Sequence, residues 1–173
     1  DLDNQDFTAY ITLNEVSIAG TALYGNTLTA NVSPEAATVS YRWLESVNGI
    51  DYLPIPEAIE STFTIPSNYV GKHIMVEATG TGVYDGIVFS DPETVSPRPI
   101  TVTADDQTKV YGETDPELTY EVTSGELVGE DDFTGALTRE AGENVGTYEI
   151  QQGDLALNDN YALTYESDNL TTT

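Results

Sequence analysis

At 173 residues the chain suits one domain or two small ones, and 39% hydrophobic residues are enough for their cores. Thirty Asp and Glu against five Lys and Arg give a net charge of −25, which repels nucleic acid and anionic lipid, since phosphate binding needs clustered cations. The lack of cysteine excludes disulfides, thiolate metal sites and cysteine nucleophiles, and no apolar run approaches the roughly 18 residues of a spanning helix.

The chain opens Asp1-Leu2-Asp3-Asn4-Gln5-Asp6 without a signal-peptide pattern, which reads as an excised fragment. Residues 1–10 read as an acidic linker. Asp1, Asp3 and Asp6 are spaced like the start of a calcium loop, but the sixth and twelfth places hold Asp6 and Thr12 where that motif needs Gly and Glu. Short strand patterns follow. Val16 and Ile18 share one face, as do Leu28, Ala30 and Val32, then Val39, Tyr41 and Trp43. Asn48-Gly49 signals a tight turn. Pro56–Glu60 could make at most one helical turn. Phe63 and Ile65, then Ile74, Val76 and Ala78, give two more faces, and Tyr84-Asp85-Gly86-Ile87 reads as a hairpin turn into Ile87-Val88-Phe89. Strands at this spacing, punctuated by turns, predict an antiparallel sandwich over 11–97.

Pro97-Arg98-Pro99 is the joint. Two prolines with fixed φ make it a short, stiff spacer. Beyond it Ile100, Val102 and Ala104 alternate with threonines, predicting a half-buried strand that opens a second β domain over 98–173. Gly112 and Asp115-Pro116 predict a turn. Leu118, Tyr120 and Val122, then residues 133–137, then Tyr148 with Ile150, then Tyr161, Leu163 and Tyr165, supply further strand faces. The acidic connection from Gly125 to Asp132 could hold one helical turn, and Asn158-Asp159-Asn160 a turn. The fold class is therefore all-β, two small antiparallel domains in tandem.

The acid excess is spread over both halves. Residues 1–97 hold 13 acids and two bases (−11), and residues 98–173 hold 17 acids and three bases (−14). It reads either as a solubilising surface or as hard oxygen ligands for calcium. Asp91 and Glu93 before the joint, with Asp105 and Asp106 after it, are the candidate calcium ligands. Glu130-Asp131-Asp132 and Asp154 with Asn158-Asp159-Asn160 are further acidic groups, and solvated loop tips explain each of them equally simply. His73, alone of its kind, lacks the partners of a triad or a zinc site. Lys72 and Lys109 could in principle join an Asn or Asp in an isopeptide bond. That chemistry wants a buried lysine beside a carboxylate, and both lysines are expected to be exposed. Tyr41, Tyr120, Tyr148, Tyr161 and Tyr165 fall on strand faces and are expected in cores. Tyr52, Tyr69 and Tyr84 lie nearer loops, where an exposed ring could stack on a sugar.

Two resemblances sharpen this reading. The runs Val16-Ser17-Ile18-Ala19-Gly20-Thr21-Ala22, Gly25-Asn26-Thr27-Leu28-Thr29-Ala30, Val39-Ser40-Tyr41-Arg42-Trp43 and Tyr69 to Gly80 resemble immunoglobulin-like domains repeated in large bacterial surface proteins. That resemblance implies Trp43 as the core tryptophan of a central strand. Residues 99–171 resemble an MBG-type repeat, a small β domain arrayed in bacterial adhesins. The likeness is carried by Pro99-Ile100-Thr101-Val102-Thr103-Ala104, Lys109-Val110-Tyr111-Gly112-Glu113-Thr114-Asp115-Pro116, Phe133-Thr134-Gly135-Ala136-Leu137-Thr138-Arg139, Gly142-Glu143-Asn144-Val145-Gly146-Thr147-Tyr148 and Asn160-Tyr161-Ala162-Leu163-Thr164-Tyr165. Together they imply a non-enzymatic stalk or presenting repeat of a secreted bacterial surface adhesin. It would be monomeric, would neighbour other repeats of its own chain, and would meet a surface glycan or protein ligand. The alternative is a carbohydrate-binding accessory module of a secreted enzyme. No cofactor beyond calcium is implied.

Overall fold

A computed structural model describes residues 9–173, so the linker acids Asp1, Asp3 and Asp6 lie outside the described residues. The chain divides into two compact units, Asp1–Ser96 and Pro97–Thr173, the boundary falling one residue before the expected position. Among the described residues the regular structure is all strand, apart from one 3-10 turn at Ser67–Tyr69. Among the described residues no helix is long and apolar enough to cross a membrane.

The first unit contains β1 (Ile11–Thr12), β2 (Glu15–Ala19), β3 (Thr27–Ser33), β4 (Val39–Ser46), β5 (Leu53–Pro54), β6 (Thr62–Thr64), β7 (His73–Gly80), β8 (Tyr84–Asp85), β9 (Ile87–Phe89) and β10 (Glu93–Thr94). One sheet runs β2-β3-β6. A second runs β10-β7-β4-β5, and β9 also pairs with β7. These two are antiparallel, and their inner faces enclose one core; β1 and β8 form a separate parallel pair. The unit is a two-sheet sandwich, as the alternation in the sequence predicted, with the sheet order of an immunoglobulin-like domain, as the resemblance implied. Val16, Leu28, Ala30, Trp43, Ile65, Ile74, Val76 and Ala78 are buried in it. Trp43 is wholly inaccessible, stacks on Phe63 at 5.5 Å and donates its indole N–H to the Glu60 carbonyl at 2.9 Å. Gly86 joins β8 to β9 at φ 105°, so the expected hairpin turn is a kink in one edge strand; the turn itself lies earlier, where the Tyr84 N–H donates to the Thr81 carbonyl. Residues 56–60 form turns without a helix.

The second unit contains β11 (Arg98–Ala104), β12 (Gln107–Lys109), β13 (Tyr120–Ser124), β14 (Thr138–Arg139), β15 (Gly146–Gln151), β16 (Tyr161–Glu166) and β17 (Asn169–Thr172). Its sheets run β13-β11-β16 and β12-β17-β15-β14. Here the pairing is mixed where antiparallel pairing was expected. β11 pairs with β16 in parallel, and β12 with β17 in parallel. The physical reason is that β11–β12 and β16–β17 are two bent arms running side by side. Each leaves one sheet for the other at the same level, through Asp105-Asp106 in one arm and Ser167-Asp168 in the other.

Ile100, Val102 and Ala104 point inward as predicted and are buried, as are Leu137, Ile150, Leu155 and Leu170. Three expectations fail. Val122 is exposed on the edge strand β13. Residues 133–137 form no strand beyond a single bridge from Thr134 to Ala156. Residues 125–132 hold no helical turn, because Gly125 and Gly129 both take positive φ.

Candidate functional site

The second unit gathers four charged side chains. Lys109 ends β12, and the turn after it, with Gly112 at φ 88°, returns the chain to Asp115. Arg139 ends β14, and Glu143 follows in the loop to β15. Lys109 Nζ donates to Asp115 Oδ1 at 2.6 Å and to Glu143 Oε2 at 2.7 Å. The Arg139 guanidinium spends five hydrogen bonds. Nε reaches Asp115 Oδ2, Nη2 reaches Asp115 Oδ1 and Glu143 Oε1, and Nη1 reaches the carbonyls of Glu140 and Gly142. Five is the full donor capacity of an arginine. Its plane also lies over the Tyr148 ring at 5.4 Å. A Cβ at position 142 would overlap the Tyr148 ring, so any larger residue there must displace that ring.

Two cations facing two carboxylates make a neutral cluster. Lys109 has a side chain only 3% exposed, against the expectation that it lay at the surface, while Glu143 on the outer side is 69% exposed. The reason is local. The lysine stem lies in the sheet against β17, and its charge can stay inside because two carboxylates meet it. Lys72, also expected to be exposed, is half-buried beside Tyr69 and paired with Glu45.

Hydrogen bonds from Arg139 and then Lys109 hold the Asp115 carboxyl down to about 2, and those from Lys109 and then Arg139 lower that of Glu143. Lys109 is pushed up by Asp115 and Glu143. Amide formation between Lys109 and Asp115 needs a neutral amine and a protonated acid, and the cluster favours the opposite state of each. The arrangement is a lock, tying the loop after β12 to the loop after β14.

A pH dependence follows. A carboxyl whose folded value is depressed contributes stability that is complete above its unfolded value, near 4, and is lost as pH falls through its folded value. The second unit is therefore expected to melt progressively lower between about pH 4 and about pH 2. An Asp115→Asn variant should lose most of that slope in thermal melts at graded pH. A slope unchanged in the variant would detach the acid sensitivity from this cluster.

The candidate calcium ligands fall two in each unit. Asp91 and Glu93 are exposed in the first unit, Glu93 on β10. Asp105 and Asp106 form the corner after β11 in the second, where Asp105 Oδ2 accepts from Thr119 Oγ1 at 2.6 Å. Among the described residues no group of three or more His, Asp or Glu side chains is arranged to hold a metal ion. The other acidic groups serve turns. Asp131 accepts from the Tyr161 hydroxyl at 2.7 Å and from Asn158 at 3.3 Å, and Asp154 accepts from the Ala136 N–H at 2.8 Å. His73 Nδ1 lies 3.0 Å from Thr94 Oγ1.

Tyr69, expected near a loop surface, is only 7% exposed and packs edge-on against Phe63. Tyr52 turns its hydroxyl inward, where it finds no partner. Tyr69 presents no free face to a sugar.

Sequence reasoning missed the cluster as a set. Its signal was scarcity: with five cations in 173 residues, each is placed where a carboxylate can meet it. Arg42 pairs with Glu77, Lys72 with Glu45, Arg98 with Glu126, and Lys109 and Arg139 with Asp115 and Glu143. No cation of the chain is left unengaged.

Residues 100–171 match the family model of the MBG domain (YGX type). No curated protein matches the chain. Among solved structures, the N-terminal four immunoglobulin domains of Dscam1 isoform 9.44, determined with zinc, share 12% identity at a TM-score of 0.30. That alignment covers 94% of this chain and 47% of the other. The same four domains of Dscam1 isoform 6.9 share 14% identity at 0.29, covering 100% of this chain and 45% of that one. The chain thus spans less than half the length of either structure, and likeness at these scores carries no functional weight.

Proposed function

We propose that this chain is a structural and adhesive repeat module of a secreted bacterial cell-surface adhesin, a stalk or presenter without catalytic activity of its own. The observation that carries the proposal is the MBG-domain match over residues 100–171, next to an immunoglobulin-like sandwich in the same chain. Together they support a structural repeat module. The physics of each unit fits that role. Each buries its own core, and the acid excess discourages sheet edges of neighbouring repeats from pairing. The carbohydrate-module alternative has less to stand on with Tyr69 buried and Tyr52 turned inward.

The test is on cells of the source organism. Antibodies raised against residues 1–173 should label intact, unpermeabilised cells, and protease treatment of those cells should remove the signal. Antigen found only after lysis would sink the surface assignment.

A further inference from the structure

The loop between β4 and β5 is built in a way that neither the core nor the ion pairs explain. Val47 and Ile50 sit at its tip, each 79% exposed, and Leu53 follows at 68%. Isolated exposed aliphatics are ordinary, but Val47 and Ile50 share one short loop and Leu53 opens β5 directly after it. Buried Ser46 donates its hydroxyl to Asn48 Oδ1 at 3.0 Å and accepts from the Gly49 N–H at 3.0 Å. Asn48 Oδ1 also accepts from the N–H groups of Ile50 and Asp51, and its amide nitrogen donates to Asp51 Oδ2 at 2.9 Å. Gly49 takes φ 71° and backs onto the His73 ring, where a Cβ would come within 3.3 Å. A mobile loop tip could fold its apolar side chains inward, and this one is fastened with them outward. Rigid presentation lowers the ordering cost of binding, the signature of a contact surface.

Beside the tip lies a groove of about 340 Å³ lined by Glu45, Ser46, Val47, Asn48, Asp51 and Leu53. Its chemistry selects among occupants. No aromatic ring lines it, so sugar stacking is not offered. A second copy carries the same −25 and is repelled, as are nucleic acid and anionic lipid. Asp51 sets a carboxylate at its rim that no cation meets, Glu45 being already paired with Lys72, while Arg42, the other cation of this unit, is held by Glu77. We infer that this loop is a docking site for a cationic segment of a partner protein that places an apolar side chain in the groove and Lys or Arg against the rim. The inference concerns the first unit alone and does not rest on the stalk reading.

The experiment uses the full chain, isotope-labelled, and three synthetic heptapeptides: alternating Lys and Leu, alternating Lys and Ser, and alternating Glu and Leu. The Lys–Leu peptide should shift amide resonances concentrated in residues 45–53. Val47→Ser with Ile50→Ser should weaken that binding about tenfold while leaving the melting temperature unchanged, since both side chains are exposed. Raising NaCl from about 50 to about 300 mM should weaken it further. Should the double variant fail to fold, Leu53→Ser serves in its place, with the same loss expected. Lys–Leu shifts spread over the acids of both units and unchanged in the variant would overturn the site. Equal binding of the Glu–Leu peptide would overturn the charge selection. Loop shifts seen with phosphatidylcholine vesicles but not with the Lys–Leu peptide would make the surface a lipid contact, which also overturns it.

Discussion

Replacing Trp43 with alanine should lower the stability of the first unit by about 3–5 kcal/mol, the range for truncating a buried tryptophan. Three losses coincide at this position. The ring is wholly inaccessible, so its removal leaves a void that β-strands on both sides cannot collapse to fill. Its stacking on Phe63 disappears, and Phe63 in turn supports Tyr69. The Glu60 carbonyl also loses the indole N–H that satisfies it. Trp43→Phe separates these contributions, since it keeps a ring but not the donor, and it should fall between wild type and alanine. Calorimetry reads all three proteins. A Trp43→Ala variant melting with the wild type, together with red-shifted native tryptophan fluorescence, would place the side chain at the surface.

The second large effect is expected at Arg139. Lysine there keeps the charge but offers three donors in place of a planar fork of five, and cannot serve Asp115, Glu143 and two carbonyls at once. Arg139→Lys should lower the melting temperature of the second unit by about 10 °C. Arg139→Met should lower it more, because two carboxylates would then crowd a single lysine. Arg42→Met is the control. Arg42 is half exposed and holds one carboxylate, so it should matter much less. If Arg139→Lys melts within a degree or two of wild type, the cluster is an accessory and not a lock.

Period-two alternation made the inner faces legible, because Leu28 with Ala30, Ile74 with Val76 and Ala78, and Ile100 with Val102 and Ala104 each sit in one sheet over one core. Pro97-Arg98-Pro99, read as a stiff spacer, is not one throughout: Arg98 and Pro99 already belong to β11 and pair with β16. Pairing direction was not legible. Alternation along a strand is blind to whether its neighbour runs parallel, so β11 beside β16 could not be read from Ile100 or Tyr161. The Lys109 cluster was hidden for a related reason. Asp115 is six residues away and Glu143 thirty-four, and no local pattern says that both arrive at one lysine. Val122 misled because edge strands expose both faces, which alternation alone does not reveal.

The placement of β11 has a consequence for the order in which the protein is made. This strand comes first in its unit, yet it lies in the middle of its sheet, and Arg98 pairs with Tyr161, 63 residues further along. During synthesis it leaves the ribosome long before β16 exists, so the first sheet of that unit cannot close until nearly the whole unit has been translated. The first unit has long pairings of its own, Ile11 with Tyr84 and Leu23 with Ser96, but all of its strands have been translated before the second unit begins. Long-range pairing slows folding, and domains fold in turn as they emerge. The immunoglobulin-like half is thus set to finish while the C-terminal half is still a nascent chain, with Ile100 and Val102 exposed in the interval.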